Sequence, residues 1–364
     1  MRNFQWTTVQ HLTLVGILIW SGISAVYGSG LPTGIRAPLV ATFSIVARDP
    51  ATGDYGVAVQ SRYFAVGGVV PHAAADIGAV ATQARANLLY GVDGLELLES
   101  GMSAESVINT LTAADPLRAH RQLGVVDRDG RAATFTGEQC IGWAGGRVGS
   151  GYAVQGNLLA GPQVVNAMAA AYEAADGAFA ERLLTALYAG QAAGGDARGR
   201  QSAAMLVARK GGGYLGLNDR YVDLHVEDHP TPILELARLL QIRQAQLDSA
   251  TAITLLSKAI VADSDKRDAL LAESARLLER AVRRHPLDDY SWWTLAKVRL
   301  TQQRPESAAM AAGRALRANP TWRHLSPSTR QALGVSPELI SQLLKVEGFR
   351  RLWDSLAAQQ PAGP

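Results

Sequence analysis

Four polar clusters interrupt a mostly apolar pattern, and each suits a defined chemistry. Thr42 opens the β-prone run TFSIVA at 42–47. A threonine that begins a mature chain can attack a carbonyl with its hydroxyl, using its own α-amine as the base. That amine suits the role because its unperturbed pKa is about 8, far below that of lysine. Within a chain the same residue is an ordinary strand threonine. Asn157 lies in GNLLAG, 156–161, just before a helical segment. Such an asparagine either presents its amide and nearby backbone N–H groups to a developing oxyanion, or caps a tight turn. In AGGDARGRQS, 193–202, glycines let the backbone approach a ligand closely. Arg198 and Arg200 suit a carboxylate, and Asp196 suits orienting them or binding an amine. The alternative is a flexible surface loop, although this one leads straight into a core-like strand. Asp223, Glu227, Asp228 and His229 end at Pro230. Acidic residues beside one histidine are a weak metal signal without a second histidine cluster, so His229 reads better as a structural hydrogen-bonding residue.

Several function classes are excluded. The sequence has no Walker-type glycine loop, no HExxH and no GxSxG elbow. A formal charge of +3 over 364 residues gives no case for nucleic acid. The basic run Arg276–Arg284 reads as a solvated helix face. Cys140 is the only cysteine, so neither an internal disulfide nor a Cys-rich metal site is available. No cofactor and no metal are expected.

Hairpins must position these clusters. Residues 42–47 and 55–59 flank a turn with Asp49, Pro50 and Gly53 and predict one hairpin. Residues 123–126 and 132–135 flank Asp127, Asp129 and Gly130 and predict a second. Further strands are expected at 77–83, 152–155, 203–207, 214–216 and 221–226. Helices are expected over 95–111 (broken at Gly101, with Ser103 capping its second part), 163–175, 179–189 and 232–247. Hairpin pairing argues for antiparallel sheets with helical layers, an α+β class, rather than a doubly wound parallel sheet.

The ends differ in kind. A basic start, an apolar stretch from Leu12 to Trp20 and small residues after it read as a secretory signal over 1–28. The alternative is an uncleaved membrane anchor, although the stretch is short of the ~20 residues that span a bilayer. Export to the periplasm or the extracellular space follows from the signal. Residues 29–41 read as a linker or pro-segment and 42–244 as the α/β domain. Residues 250–364 carry no strand signal. Pro286 and Pro320 stand 34 residues apart, the tetratricopeptide period. Residues 289–320 resemble that motif at Trp292, Leu295, Ala296, Ala308, Ala312, Ala315 and Pro320. The preceding segment matches only at Leu278, Ala281 and Pro286. A generic helical hairpin is the alternative, and a last helix is expected over 337–356.

The stretches TFSIVARDPATGDYGVAVQSRYFAVGG, GAVATQARAN, GNLLAG, AGGDARGRQSAA and VEDHPTPILEL, in this order, resemble the bacterial family catalogued as domain of unknown function 1028. The resemblance runs from Thr42 to about Leu240. It implies a four-layer αββα sandwich of the N-terminal-nucleophile (Ntn) hydrolase kind, followed here by the small all-α tail. It implies Thr42 as nucleophile, with the turn that carries Asn157 lining the cleft. It also implies a substrate cleft lined by Arg62, Asn87, Asp196, Arg198, Arg200, Gln201, Ser202, Asp228 and His229. The expected partners are a small amide or peptide-like substrate, a protein bound by the tail, and another copy of the chain. One departure matters. In many relatives this threonine follows the initiator methionine, whereas here it is residue 42, so only a cut at Ala41–Thr42 makes it N-terminal. Uncut, the domain is expected to be a non-catalytic ligand-binding module.

Overall fold

The structure is a computed structural model that describes residues 42–357. The expected signal, the pro-segment and the Ala41–Thr42 bond lie outside the described residues.

Two antiparallel sheets form the first part. The larger has the order β10–β9–β2–β1–β8–β7, with β1 at Thr42–Arg48, β2 at Tyr55–Ser61, β7 at Trp143–Gly149, β8 at Tyr152–Leu159, β9 at Ser202–Ala208 and β10 at Arg220–Val226. The smaller has the order β3–β4–β5–β6, with β3 at Pro71–Ala74, β4 at Gly78–Ala84, β5 at Arg121–Val126 and β6 at Ala132–Thr136. Strand side chains alternate between faces with period two. Val46, Val57, Val59, Ala79, Ala81 and Ala153 therefore meet in a core between the sheets. Their neighbours Phe43, Ile45, Ala58 and Val154 face outward, onto α3 (Gln163–Ala174), α4 (Phe179–Ala192) and α5 (Pro232–Val261). On the far side, Val80, Leu123 and Val125 pack on α1 (Leu89–Glu99) and α2 (Ala104–Ala113). The result is four layers, helix–sheet–sheet–helix.

Both expected hairpins form, as β1–β2 and β5–β6. Ser103 caps α2, its Oγ accepting from the N–H of Ser106 at 3.3 Å. Helix α1 begins six residues before the expected start at Leu95. Gly91 and Gly94 blur its apolar period, and Gly91 is needed for contact: a Cβ there would stand 2.3 Å from the His72 ring. Three expectations need correction. Strands β3 and β7 were not legible; β7 is an exposed, glycine-bearing edge. Residues 214–216 form a 3₁₀ turn instead of a strand, and β10 starts only at Arg220. The helix expected over 337–356 is two, α10 (Pro337–Leu343) and α11 (Glu347–Ala357).

Helix α5 runs on past the expected Leu247 to Val261. Its first half packs Ile233, Leu236 and Leu240 on the larger sheet's outer core. Its second half gives Ala252, Leu256 and Ala259 to a separate, all-helical core. That core is completed by α6 (Ser264–Arg284), α7 (Asp289–Thr301), α8 (Pro305–Ala318), the short α9 (Pro327–Ala332), α10 and α11. Prolines stand at or next to the first position of α5, α8, α9 and α10, where a missing N–H costs nothing. Asp263 and Asp288 cap α6 and α7. Of the residues expected on the repeat signature, Leu278, Leu295, Ala296, Ala308, Ala312 and Ala315 lie in this core and Trp292 packs against it partly buried. Among the described residues, no helix is long and apolar enough to cross a membrane.

Candidate functional site

The apolar layer between the sheets turns polar at one end. Thr42, Ser44, Ser61, Gln83, Gln122, Gln155 and Asn157 take inward positions at neighbouring strand ends, and all seven are buried. Strand pairing sets their order. Thr42 lies opposite Ser61 on one side and Asn157 on the other.

The hydrogen bonds run in one direction. Gln155 Nε2 donates to Ser44 Oγ at 2.7 Å, and Ser44 Oγ donates to Gln83 Oε1 at 2.7 Å. Gln83 Nε2 donates to Gln122 Oε1 at 2.8 Å, with longer contacts of 3.4 Å to the carbonyls of Thr42 and Gln155. Gln122 Nε2 donates to Thr136 Oγ1 and to the carbonyl of Gly156, both at 2.8 Å. Gln122 Oε1 also accepts from Asn157 Nδ2 at 3.0 Å, which fixes the plane of that amide. Thr42 Oγ1 donates to Ser61 Oγ at 3.1 Å. Gly124 makes room for this traffic across the sheets, since a Cβ there would stand 2.2 Å from Gln155 Oε1. Every side chain in the network is neutral. No member titrates near neutrality, so none of them is a base.

Asn157 is therefore not a capping residue in a tight turn. The turn expected at 156–161 is strand as far as Leu159. The chain bends at Leu158, whose φ is 52°, and only then leaves the sheet. Pairing with β1 and β7 holds these residues extended despite their turn-like composition.

The glycine loop closes the same end. Asp196 is buried and bridges to Leu159. Its carboxylate accepts from the backbone N–H of Arg62 at 2.9 Å and, two-pronged, from Arg198 at 3.2 and 3.0 Å. Asp196 thus orients Arg198, one of its two expected roles, and its charge is matched by that arginine. Arg62 Nη1 donates to the carbonyl of Arg200 at 3.0 Å. Gln201 donates its N–H to the Ser61 carbonyl at 3.0 Å and accepts from the His229 N–H at 2.7 Å. Ser202 lies opposite Ser61, accepts from the N–H of Val66 at 3.2 Å and donates to the Tyr63 carbonyl. Arg62, Asp196, Arg198, Gln201, Ser202 and His229 are therefore joined around the ends of β2, β8 and β9.

Three expected residues have other settings. The Asn87 side chain accepts from the N–H of Leu89 at 3.2 Å, a local bond to the first residue of α1. Arg200 lines a 250 Å³ cavity with Tyr188, Gln191 and the start of α5. Asp228 is exposed. His229 Nδ1 accepts from the N–H of Thr231 at 3.0 Å, the structural role expected of it. No cluster of three or more metal-ligating side chains occurs among the described residues.

Sequence reading missed Ser44, Ser61, Gln83, Gln122 and Gln155. Each is a polar residue on the inward phase of a strand whose inward positions nearer the core, such as Val46, Val59, Ala81, Val126 and Ala153, are apolar. That break in the period-two pattern was the available signal.

Comparison with known proteins agrees with this architecture. The crystal structure of protein SPO2555 from Silicibacter pomeroyi, a DUF1028 protein, is similar to the chain, with a TM-score of 0.51 and 36% identity. The match covers 55% of this chain and 85% of that one. No curated protein matches the chain. Residues 42–236 match the family described as a family of unknown function, DUF1028, and with more than half its length in that match the chain belongs to this family.

Proposed function

We propose that the domain from Thr42 is an Ntn-type amidohydrolase acting on a small amide or peptide-like substrate, with Thr42 as nucleophile once Ala41–Thr42 is cut. The observation that carries this reading is the setting of Thr42. It opens the described part of a central strand, with its hydroxyl on Ser61 and Asn157 directly opposite in register. Thr42 Oγ1 attacks the carbonyl carbon and its proton passes to the freed α-amine. Asn157, with one amide hydrogen held by Gln122, offers the other to the oxyanion. The ammonium returns the proton to the leaving amine as the C–N bond breaks, leaving an ester on Thr42. Water, deprotonated by the same amine, then hydrolyses the ester to a carboxylate. The neutral network supports this assignment, because no side chain in it competes with the α-amine as base. The signal-like sequence of residues 1–28 supports a setting outside the cytoplasm for this activity.

The direct test is a β-lactone electrophile added to the mature protein. The reading expects a single ester adduct that maps to Thr42. No adduct, or one on another residue, overturns it.

A second reading is a non-catalytic ligand-binding module whose helical part holds a protein partner. The observation favouring it is a 770 Å³ groove lined by Trp292, Met310, Phe349, Arg283, Arg314 and Arg317, among other residues of the helical core. Apolar side chains edged by four arginines and two glutamates, Glu279 and Glu306, leave a net positive rim that suits a partly apolar peptide with acidic groups, of the kind that tetratricopeptide-like helices take up. An uncut Ala41–Thr42 bond combined with tight peptide capture would favour this reading.

A further inference from the structure

The loops at the Thr42 end of the sheets expose large apolar side chains. Phe64, Leu88, Leu89, Leu117 and Ile141 are 47–61% exposed. Each stands close in the chain to a residue of the polar network, or is bonded beside one. Phe64 follows Ser61, Leu88 and Leu89 follow Gln83, and Leu117 precedes Gln122. The Ile141 carbonyl accepts from the N–H of Leu158, next to Asn157, at 3.0 Å. At the other end of the sheets, the turns 49–54, 75–77, 127–131 and 150–151 carry no exposed large apolar side chain. The β9–β10 turn is the exception there, with Tyr214, Leu215 and Leu217.

Hydrogen bonds join the loops of the Thr42 end to one another. Thr82 Oγ1 donates to the Asn87 carbonyl, beside Leu88, at 3.1 Å. The N–H of Arg85 donates to the His120 carbonyl at 3.2 Å, and that of Gln139 to the Ala119 carbonyl at 2.7 Å. Ser202 Oγ donates to the Tyr63 carbonyl, beside Phe64, and the N–H of Thr82 donates to the Val70 carbonyl at 3.2 Å. The loops thus form a ring around the strand end that carries Thr42. They run from the end of β4 past β5, β6 and β8, and the segment joining β2 to β3 closes them. Backbone strain gathers in this ring. Ala65, Ala84 and Leu158 hold φ of 55°, 68° and 52°, directly after Phe64, Gln83 and Asn157. Non-glycine residues persist in that region where their surroundings over-determine them, as they do at ligand sites.

Charge gives the ring little selectivity. Arg121 is paired with Asp115 at 2.8 Å and Arg198 with Asp196 at 3.0 Å. Beyond these pairs, residues 62–65, 84–89, 115–121, 137–142, 193–201 and 227–229 add four arginines and three carboxylates, which is close to neutral. The apolar side chains are what remains to distinguish one ligand from another. Five of them at about half exposure offer on the order of 400 Å² between them, the size of the largest apolar patch on a typical monomer, which is often functional.

We propose that the substrate of the Thr42 site is an amide with a long apolar chain, of the fatty-acyl amide class, whose chain lies on this ring. The inference rests on the hydrolase reading of Thr42 and names the substrate class for it. Anything bonded to a carbonyl that reaches Thr42 from solvent passes these side chains, and a chain of several methylenes covers them.

Calorimetry on the mature protein with 2-butanone, 2-heptanone and 2-decanone tests it. A methyl ketone offers the carbonyl without a C–N bond to break. Affinity is expected to rise about twofold to fourfold per added methylene. The double variant Leu88→Ser, Leu89→Ser and the single variant Ile141→Ser replace exposed side chains, so folding is retained. Each is expected to weaken 2-decanone binding about fivefold or more. Leu215→Ser, at the apolar turn of the other end, is expected to leave it unchanged. The proposal is overturned if affinity does not grow with chain length, if both ring variants bind 2-decanone normally, or if Leu215→Ser weakens binding as much. Light scattering with and without phosphatidylglycerol vesicles reads the other occupants. A dimer or a vesicle-bound chain that the ring variants release, with no ketone binding, assigns the ring to that partner and also overturns the proposal. The lactone adduct keeps the two claims apart. An adduct on Thr42 without chain-length dependence overturns this inference alone. Chain-length-dependent binding at the ring without an adduct sustains the apolar subsite and overturns the hydrolase reading alone.

Discussion

Replacing Gln122 by leucine isolates what the buried network contributes. Leucine matches glutamine closely in volume, so the change removes polar partners without opening a large cavity. Gln122 accepts from Gln83 and Asn157 and donates to Thr136 and the Gly156 carbonyl. Gln83 Nε2 keeps its two 3.4 Å contacts and Thr136 is half-buried, so both are partly compensated. Asn157 Nδ2 and the Gly156 carbonyl lose their partner in a buried setting. Each such orphan costs about 1–3 kcal/mol. Leucine regains roughly 1 kcal/mol of apolar burial. The expected net loss is about 1–5 kcal/mol, read as the shift in urea unfolding free energy of the whole chain at neutral pH. Combining Gln122→Leu with Asn157→Leu removes one orphan along with its lost partner. The double variant is therefore expected to lose at least about 1 kcal/mol less than the sum of the singles. A loss below about 1 kcal/mol for Gln122→Leu, or strict additivity, would refute the claim that this network is tightly coupled.

Three further outcomes follow from the same structure. Thr42→Ala removes one buried hydroxyl bond to Ser61 and should cost only about 1 kcal/mol in urea unfolding while abolishing the lactone adduct. A loss of folding would mean that Thr42 is chiefly structural. His225 is raised above 6.5 by its hydrogen bond to Asp223, against burial, with the charges of Asp223 and Glu227 adding to the effect. The stability it contributes is therefore complete below pH 6.5 and lost as pH rises through the folded value. NMR should show His225 titrating above 6.5 and moving down in Asp223→Asn; a midpoint at or below 6.5 would contradict this. Asp248 joins α5 to α6 through Arg280 and Arg284. Asp248→Ala leaves Arg280 without this partner and Arg284 with Glu181 alone at 3.7 Å, and should cost about 1–3 kcal/mol, below the value for a fully buried pair; an unchanged urea midpoint would show the link to be superficial.

What could be read from the sequence was local. The β1–β2 hairpin shows itself by apolar alternation on both sides of DPATGD, and Ser103 marks the start of α2. Strand β8 was cut short because Gly156, Asn157 and Gly161 carry turn composition, while the force that keeps the chain extended comes from β1, over a hundred residues away. The pairing of Thr42 with Asn157 is non-local for the same reason, although each was singled out by its own surroundings. The inward glutamines escaped because their role depends on a second sheet facing them. The length of α5 was underestimated because its buried face changes midway, from the sheet's outer core to the helical core, so no single apolar stripe runs its length. Its 30 residues contain no glycine and no proline after Pro232, and that absence was the legible sign of continuity.

The central claim is that Thr42 becomes a chain terminus with a free amine. Intact-mass and N-terminal peptide analysis of the mature protein tests it most directly. The account predicts a chain that begins at Thr42. A mature chain that retains residues before Thr42, with Ala41–Thr42 intact, would contradict it.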